Sequence, residues 1–523
     1  MERNKGMEVL EAANYGLLSI LPPLIAIVLA LITKEVIMSL LTGILVGSLI
    51  YTNGNVIEMV VTSFEVMGEK MGENVYILIF LALLGALVAI VTRGGGSAAY
   101  GEMAASKIKT RRGATLATSA LGGLIFIDDY FNCLTVGTVM KPLTDKHRIS
   151  RAKLAYLIDA TAAPICIIAP VSSWGASVAT YIQDAGAGNG MTTFIKIIPY
   201  NLYAILTIVM VIIVCLSKVN FGPMARFEKN AIERGDLFSG NEIIVTEDKT
   251  EKKKGKVIDL VIPIVSLMVF TVLAMAYTGG GLTGENSFFA SFGESNSSLS
   301  LVIGSFGALV LTFIQYSIRR ILSFREFVDE ITEGIKSMVP AFTILILAWT
   351  ISGICSTDYL NTGGYVGNLV KDASFPIFIL PVMVFVIAGF LGFATGTSWG
   401  TMALLIPIGV AICSSETTRA LLYPVLGSIL AGAVYGDHIS PISDTTILSS
   451  TGAGCNHMDH VSTQLVYASV VAACCICGYL LMGVMKSAVV PFIISLGLLI
   501  VAIIVLNKTA NKKDPIDYSN VNN

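Results

Sequence analysis

Charge is scarce in this chain. Asp, Glu, Lys and Arg make up 13% of its 523 residues, against roughly 25% in an ordinary soluble domain. So little charge cannot cover the surface of a water-soluble chain of this length, whereas acyl chains ask for none. The net charge of −2 gives no electrostatic footprint for a nucleic acid. The nine cysteines form no disulfide framework; several (Cys166, Cys215, Cys474, Cys475 and Cys477) sit inside apolar runs and read as reduced packing residues. In Cys455-Asn-His457-Met-Asp-His460 the spacing matches no structural zinc site and no second ligand cluster follows, so a loop is expected there.

What is abundant is apolar sequence, at 54% of residues and a mean hydropathy of +0.76. A helix needs roughly 20 apolar residues to cross the hydrocarbon, and the chain offers such runs from 15–33 to 487–506. The first contains Pro22 and Pro23, follows a polar start and lacks a cleavage pattern, so it reads as a retained helix. These features imply an all-α polytopic membrane protein of the cell membrane. The expected division is a membrane half at 1–216, a charged cytoplasmic linker at 217–256, a second membrane half at 257–507 and a polar tail at 508–523.

Basic loops assign sides. Lys107, Lys109, Arg111 and Arg112 form one, Lys141, Lys146, Arg148, Arg151 and Lys153 another, and the linker and tail are basic as well. The segment 113–140 lies between two such loops, so both its ends belong on the cytoplasmic side. Its 28 residues cannot cross twice, which takes about 40; the segment is expected to enter and return as a re-entrant hairpin. Such backbone is tolerated at membrane depth only when buried in protein or lining a wet cavity. A second hairpin, entering from outside, is expected at about 387–413, around the run Gly389 to Thr401. Each hairpin is followed by a Pro-x-Ser step that breaks a helix, Ala169-Pro-Val-Ser-Ser-Trp174 and Ser440-Pro-Ile-Ser-Asp-Thr-Thr446. Paired units of opposite orientation are the signature of inverted structural repeats, each with a re-entrant hairpin and a broken transmembrane helix.

Four polar clusters are expected to meet near mid-membrane. They contribute Asp128, Asp129 and Asn132; Ser172 and Ser173; Thr395, Thr397, Ser398 and Thr401; and Asp437, Ser440, Ser443, Asp444 and Thr445. Asp159 joins them as a further intramembrane carboxylate. Carboxylates at that depth are costly and mark ion or substrate paths, and sodium, a hard cation, takes the oxygen ligands that unwound backbone and hydroxyls supply. Sodium is expected at Ser172, Ser173, Ser443 and Asp444. Neighbouring residues on a helix point about 100° apart, so one of Asp128 and Asp129 can face the site while the other caps. A membrane aspartyl protease is set aside because Tyr435-Gly-Asp437 lacks the first glycine of its motif and no Tyr-Asp partner lies in an apolar helix.

The stretches from Gly94 to Ala185 and from Gly389 to Tyr467 resemble the NhaC family of sodium/proton antiporters. The resemblance rests on Phe126-Ile-Asp-Asp-Tyr-Phe-Asn-Cys133, Pro142-Leu-Thr-Asp-Lys-His-Arg148, Ala169–Trp174, Thr395-Gly-Thr-Ser-Trp399 and Gly436–Thr446. It implies an elevator- or rocking-type carrier, commonly a homodimer, that binds Na+ at hairpins and broken helices and has no other cofactor and no enzymatic activity. The expected function is exchange of Na+ for H+ at buried carboxylates. The alternative is sodium-coupled movement of a small organic solute, an amino acid or a carboxylate such as malate or lactate.

Overall fold

The computed structural model describes residues 15–33, 35–126, 129–170, 172–240, 255–287, 291, 294–362, 364–365, 376–413, 416–519 and 521. Regular structure among the described residues is helical throughout. Seven helices are long and apolar enough to cross a bilayer, and up to ten spans result if each sharply bent pair counts as one. The chain is a multi-pass α-helical membrane protein with broken helices. Several runs that read as single spans are interrupted. The run at 153–182 becomes Arg151–Asp159, Ala163–Cys166 and Ser173–Asp184, because Pro164 and Pro170 cannot donate to a helix ladder.

One group of helices forms a frame. Val36–Tyr51, Val56–Glu73 and Val75–Arg93 pack with Ile258–Thr278, Ser297–Ile318 and Phe324–Cys355. Val75–Arg93 lies tight on Phe324–Cys355 where Gly85 and Gly334 face each other; a Cβ on Gly85 would stand 2.6 Å from the Gly334 carbonyl oxygen. The frame also fixes direction. Arg93 pairs with Glu330 at 3.5 Å, and a Cβ on Gly255, where the linker ends, would lie 2.4 Å from the Gly94 carbonyl oxygen. The Arg93 end is therefore the basic end, and Val75 begins at the opposite one.

Beside the frame sit two hairpins and two broken helices. The first hairpin is Arg111–Leu124 and Asp129–Lys146. Its ends meet, since His147 Nε2 lies 2.9 Å from the Ile108 carbonyl oxygen. The second is Leu380–Thr395 and Ser398–Ile412, turned at Gly396 in the left-handed region with φ +68°. It starts earlier than expected because nothing in Leu380–Phe390 interrupts the apolar helix. The first broken helix runs inward from Arg151 at the basic end to Asp159. The second runs from Leu422 through Leu422–Ile439, breaks over 440–443, and continues as Asp444–Ala453. Arg151 Nη1 donates to the Ala453 carbonyl at 2.5 Å, so the second broken helix ends where the first begins, and the two run in opposite directions.

Glycines let these units close on one another. A Cβ on Gly137 would stand 2.4 Å from the Gly452 carbonyl carbon, and one on Gly436 would stand 2.2 Å from the Gly389 carbonyl oxygen. The first contact seats the first hairpin on the second broken helix; the second does the same for the second hairpin.

Candidate functional site

The two helix breaks lie nine and ten residues in from the basic end, after Arg151–Asp159 and before Asp444–Ala453, on the order of 14 Å at 1.5 Å per residue, and both hairpins pack against them. Ser443 caps the helix Asp444–Ala453 by accepting from Thr446 N at 3.3 Å. That places Asp444 in the first helical turn, where the helix dipole favours an anion. One Asp444 oxygen accepts from Thr445 N at 2.8 Å, and the other accepts from the Tyr130 hydroxyl of the first hairpin. Asp437 lies on the other side of the break, 1% exposed. Its Oδ2 accepts from the Ser398 hydroxyl of the second hairpin at 2.6 Å. Its Oδ1 has no hydrogen-bond partner among the described residues. Ser440 donates to the Phe393 carbonyl at 2.8 Å and so ties the break to the second hairpin.

Asp444 opens on a cavity of about 450 Å³. Asp129, Tyr130, Thr395, Gly396, Thr397, Trp399, Gly400 and Ile442 line it near the break; Trp349 and Ser352 form a wall; Lys70, Glu73 and Asn74 lie at the mouth. Asn74 and Ile77 flank the start of Val75–Arg93, so the cavity opens away from the basic end. Lys70 is held by Glu73 at 2.7 Å and Glu69 at 3.5 Å. A neighbouring cavity of about 360 Å³ includes Thr401 and shares Ser352, Ser356, Thr395, Thr397 and Gly400 with the first.

Other expected site residues have different occupations. Ser172 caps Ser173–Asp184, accepting from Gly175 N at 2.9 Å and donating to the Cys166 carbonyl at 2.7 Å. Asn132 braces the first hairpin, donating to the Gly122 and Ile125 carbonyls, each at 2.7 Å. Neither lines the cavity. Thr445 is buried, its hydroxyl 3.0 Å from that of Ser443. Asp128 and the Ser173 side chain lie outside the described residues.

Asp159 stands in a second polar cluster. Its Oδ2 accepts from His460 Nε2 at 3.2 Å and from Gln464 Nε2 at 2.5 Å. Gln464 also donates to the His438 carbonyl at 2.8 Å, and His438 Nδ1 is 3.0 Å from the Tyr203 hydroxyl. Gln464 thereby links the ends of the first segments of both broken helices. The loop expected at Cys455–His460 stops at Asn456, whose side chain caps the helix His457–Met485 by accepting from Asp459 N at 3.2 Å. His460 is on that helix, buried against Asp159.

Sequence reasoning did not reach Lys70, Glu73 or Gln464. Lys70 and Glu73 belong to Val56–Glu73, whose charges keep it from reading as a span. Gln464 carries no charge to mark it in an apolar helix.

A model of the Na+/H+ antiporter family matches residues 165–484, which take in the first-repeat serines and all of the second hairpin and broken helix. The chain belongs to the Na+/H+ antiporter family. An uncharacterised protein of Haemophilus influenzae is 40% identical over 522 residues, covering 96% of this chain and 97% of that one. A malate-2H+/Na+-lactate antiporter of Bacillus subtilis is 30% identical over 196 residues, 33% of this chain and 40% of that one. An uncharacterised Na+/H+ antiporter of Haemophilus influenzae is 30% identical over 156 residues, 28% and 30% of the two chains. This family member is thus a secondary transporter of the cell membrane.

Proposed function

We propose that this family member exchanges Na+ for H+ at the carboxylates of the second broken helix. The observation that carries the reading is the placement of Asp437 and Asp444 on either side of one helix break, with Asp444 open to the cavity. A hard cation takes carboxylate and carbonyl oxygens, and a carboxylate that holds a proton cannot offer the same charge to sodium. Two carboxylates close together in a water-poor site also disfavour their both being ionised. Sodium arriving from the cavity would relieve that repulsion and displace a proton. Loading proteoliposomes with a pH dye and imposing a sodium gradient tests the reading. Alkalinisation of the sodium-rich side's opposite compartment is expected for wild type and not for Asp444→Asn; wild-type vesicles that hold their pH would overturn it.

A second reading, sodium-coupled movement of a small organic solute, is favoured by the cavity itself. Its volume of about 450 Å³ falls within the roughly 300–1,000 Å³ of small-molecule sites, and Trp349 and Trp399 give it apolar walls that a bare ion does not use.

A further inference from the structure

We propose that the basic end of the protein binds a small monovalent anion, a halide such as chloride, where the first hairpin meets the linker and the tail. The inference is independent of how the large cavity beside Asp444 is used.

Four segments of chain meet at this place. Arg111 opens the first hairpin, and Lys153 lies in the first turn of Arg151–Asp159. Glu228 is on the linker helix Pro223–Lys229, and Tyr518 belongs to the C-terminal tail. All four line a cavity of about 20 Å³. That is room for one water-sized species and not for phosphate, sulfate or an organic acid.

The buried charges there do not balance. Arg111 is 6% exposed, Lys153 4% and Glu228 0%, so two buried cations face one buried carboxylate. Arg112 and Lys218 add further positive charge to the lining, and the start of Arg111–Leu124 adds the positive end of a helix dipole. A buried charge without a counter-charge is strongly unfavourable. One monovalent anion restores neutrality.

Hydrogen-bond donors are in surplus as well. Glu228 is already spent, its Oε2 on Arg111 Nη2 at 2.6 Å and Lys153 Nζ at 3.2 Å, its Oε1 on Ser150 N at 2.9 Å. Arg111 Nε is buried and has no hydrogen-bond partner among the described residues. Lys153 gives a second hydrogen to Asn220 Oδ1 at 2.9 Å, and an ammonium has three. The Tyr518 hydroxyl accepts from Asn220 Nδ2 at 3.0 Å and keeps its own hydrogen to donate. A water in the cavity would bring two more hydrogens and no charge. A halide brings none, accepts from several donors at once and cancels the surplus cation. Bound there, it fastens the base of the first hairpin to the linker and the tail.

The test is thermal melting of the purified whole chain as chloride replaces gluconate at constant sodium and ionic strength. A ligand of the folded state raises the melting temperature by mass action, so a saturable rise with chloride, and likewise with bromide, is expected. Two variants move the effect in opposite directions. Lys153→Met removes the surplus cation, leaves Arg111 paired with Glu228, and should lose the chloride-dependent rise. Glu228→Gln leaves two cations without their carboxylate. Its half-saturating chloride concentration should fall about tenfold or more, and chloride should restore part of its lost melting temperature. A wild-type melting temperature that is the same in both salts overturns the inference and assigns the cavity to water. A chloride effect of equal size in Lys153→Met and Glu228→Gln also overturns it, as an action of the salt on the protein at large.

Discussion

Asp444 carries the most at the residue scale. It lies in the first turn of a half-helix, bonded to Tyr130 and Thr445 and open to the cavity. Asp444→Asn keeps the size and the hydrogen-bonding capacity and removes the charge that offsets a desolvated cation. By analogy with breaking a buried ion pair, roughly 3–5 kcal/mol, sodium affinity should fall about a hundredfold or more. Folding should survive, since a neutral amide is easier to bury than a carboxylate. Sodium titration of purified, monodisperse variant checks this, and near-wild-type affinity would reduce Asp444 to a structural cap. Glu228, at the basic end, is a structural counterpart. It accepts from Arg111 at 2.6 Å, Lys153 at 3.2 Å and Ser150 N at 2.9 Å. Burial pushes its carboxyl up, but Arg111, Lys153 and the Ser150 N–H outweigh burial and hold it down at about 2, below the ordinary 4.5. The stabilisation is fully present above the ordinary value and is lost as pH falls towards about 2. Thermal melts between pH 7 and 3 should therefore decline below about 4.5 for wild type. Glu228→Gln, which leaves two buried cations without their carboxylate, should melt lower at pH 7 and change less across that window.

At the scale of elements, the hairpins and breaks were legible, and their contents were only partly so. The first hairpin could be inferred because too few residues lie between two basic loops, and the His147–Ile108 contact closes it. Both ends should consequently react with an impermeant thiol reagent from the cytoplasmic side when cysteines replace Lys107 and Lys146. Labelling from opposite sides would sink the inverted arrangement. Pro-x-Ser steps located the breaks, because proline removes a ladder donor wherever it falls. They did not tell which serine is spent on a cap. Ser172 and Ser443 look alike in sequence, yet both hydroxyls satisfy helix N-termini, and the carboxylate beside Ser443 is what faces the cavity. Close approach by glycine was equally invisible, since its partner lies far along the chain. Gly452→Ala would put a Cβ 2.4 Å from the Cys133 carbonyl oxygen. Pushing the first hairpin off the second broken helix should cost about 1–3 kcal/mol, read as a lower melting temperature.

At the scale of the whole molecule, frame and inner units have different jobs. The frame helices supply the cavity mouth, with Lys70, Glu73 and Trp349, while the inner units supply Asp129, Asp444 and the second hairpin's turn. The cavity lies along the seam between them. Composition made the membrane class readable. The seam was not, because it brings together residues as distant in sequence as Lys70 and Asp444, and no periodicity reports such pairs. The account's central claim is that sodium and protons share the carboxylates at the second break. Sodium affinity of the purified protein, measured by titration at a series of pH values from 9 to 6, tests it most directly. Affinity that weakens steadily as pH falls, with the dependence lost in Asp444→Asn, is the predicted result; wild-type affinity that stays flat from pH 9 to 6 would contradict it.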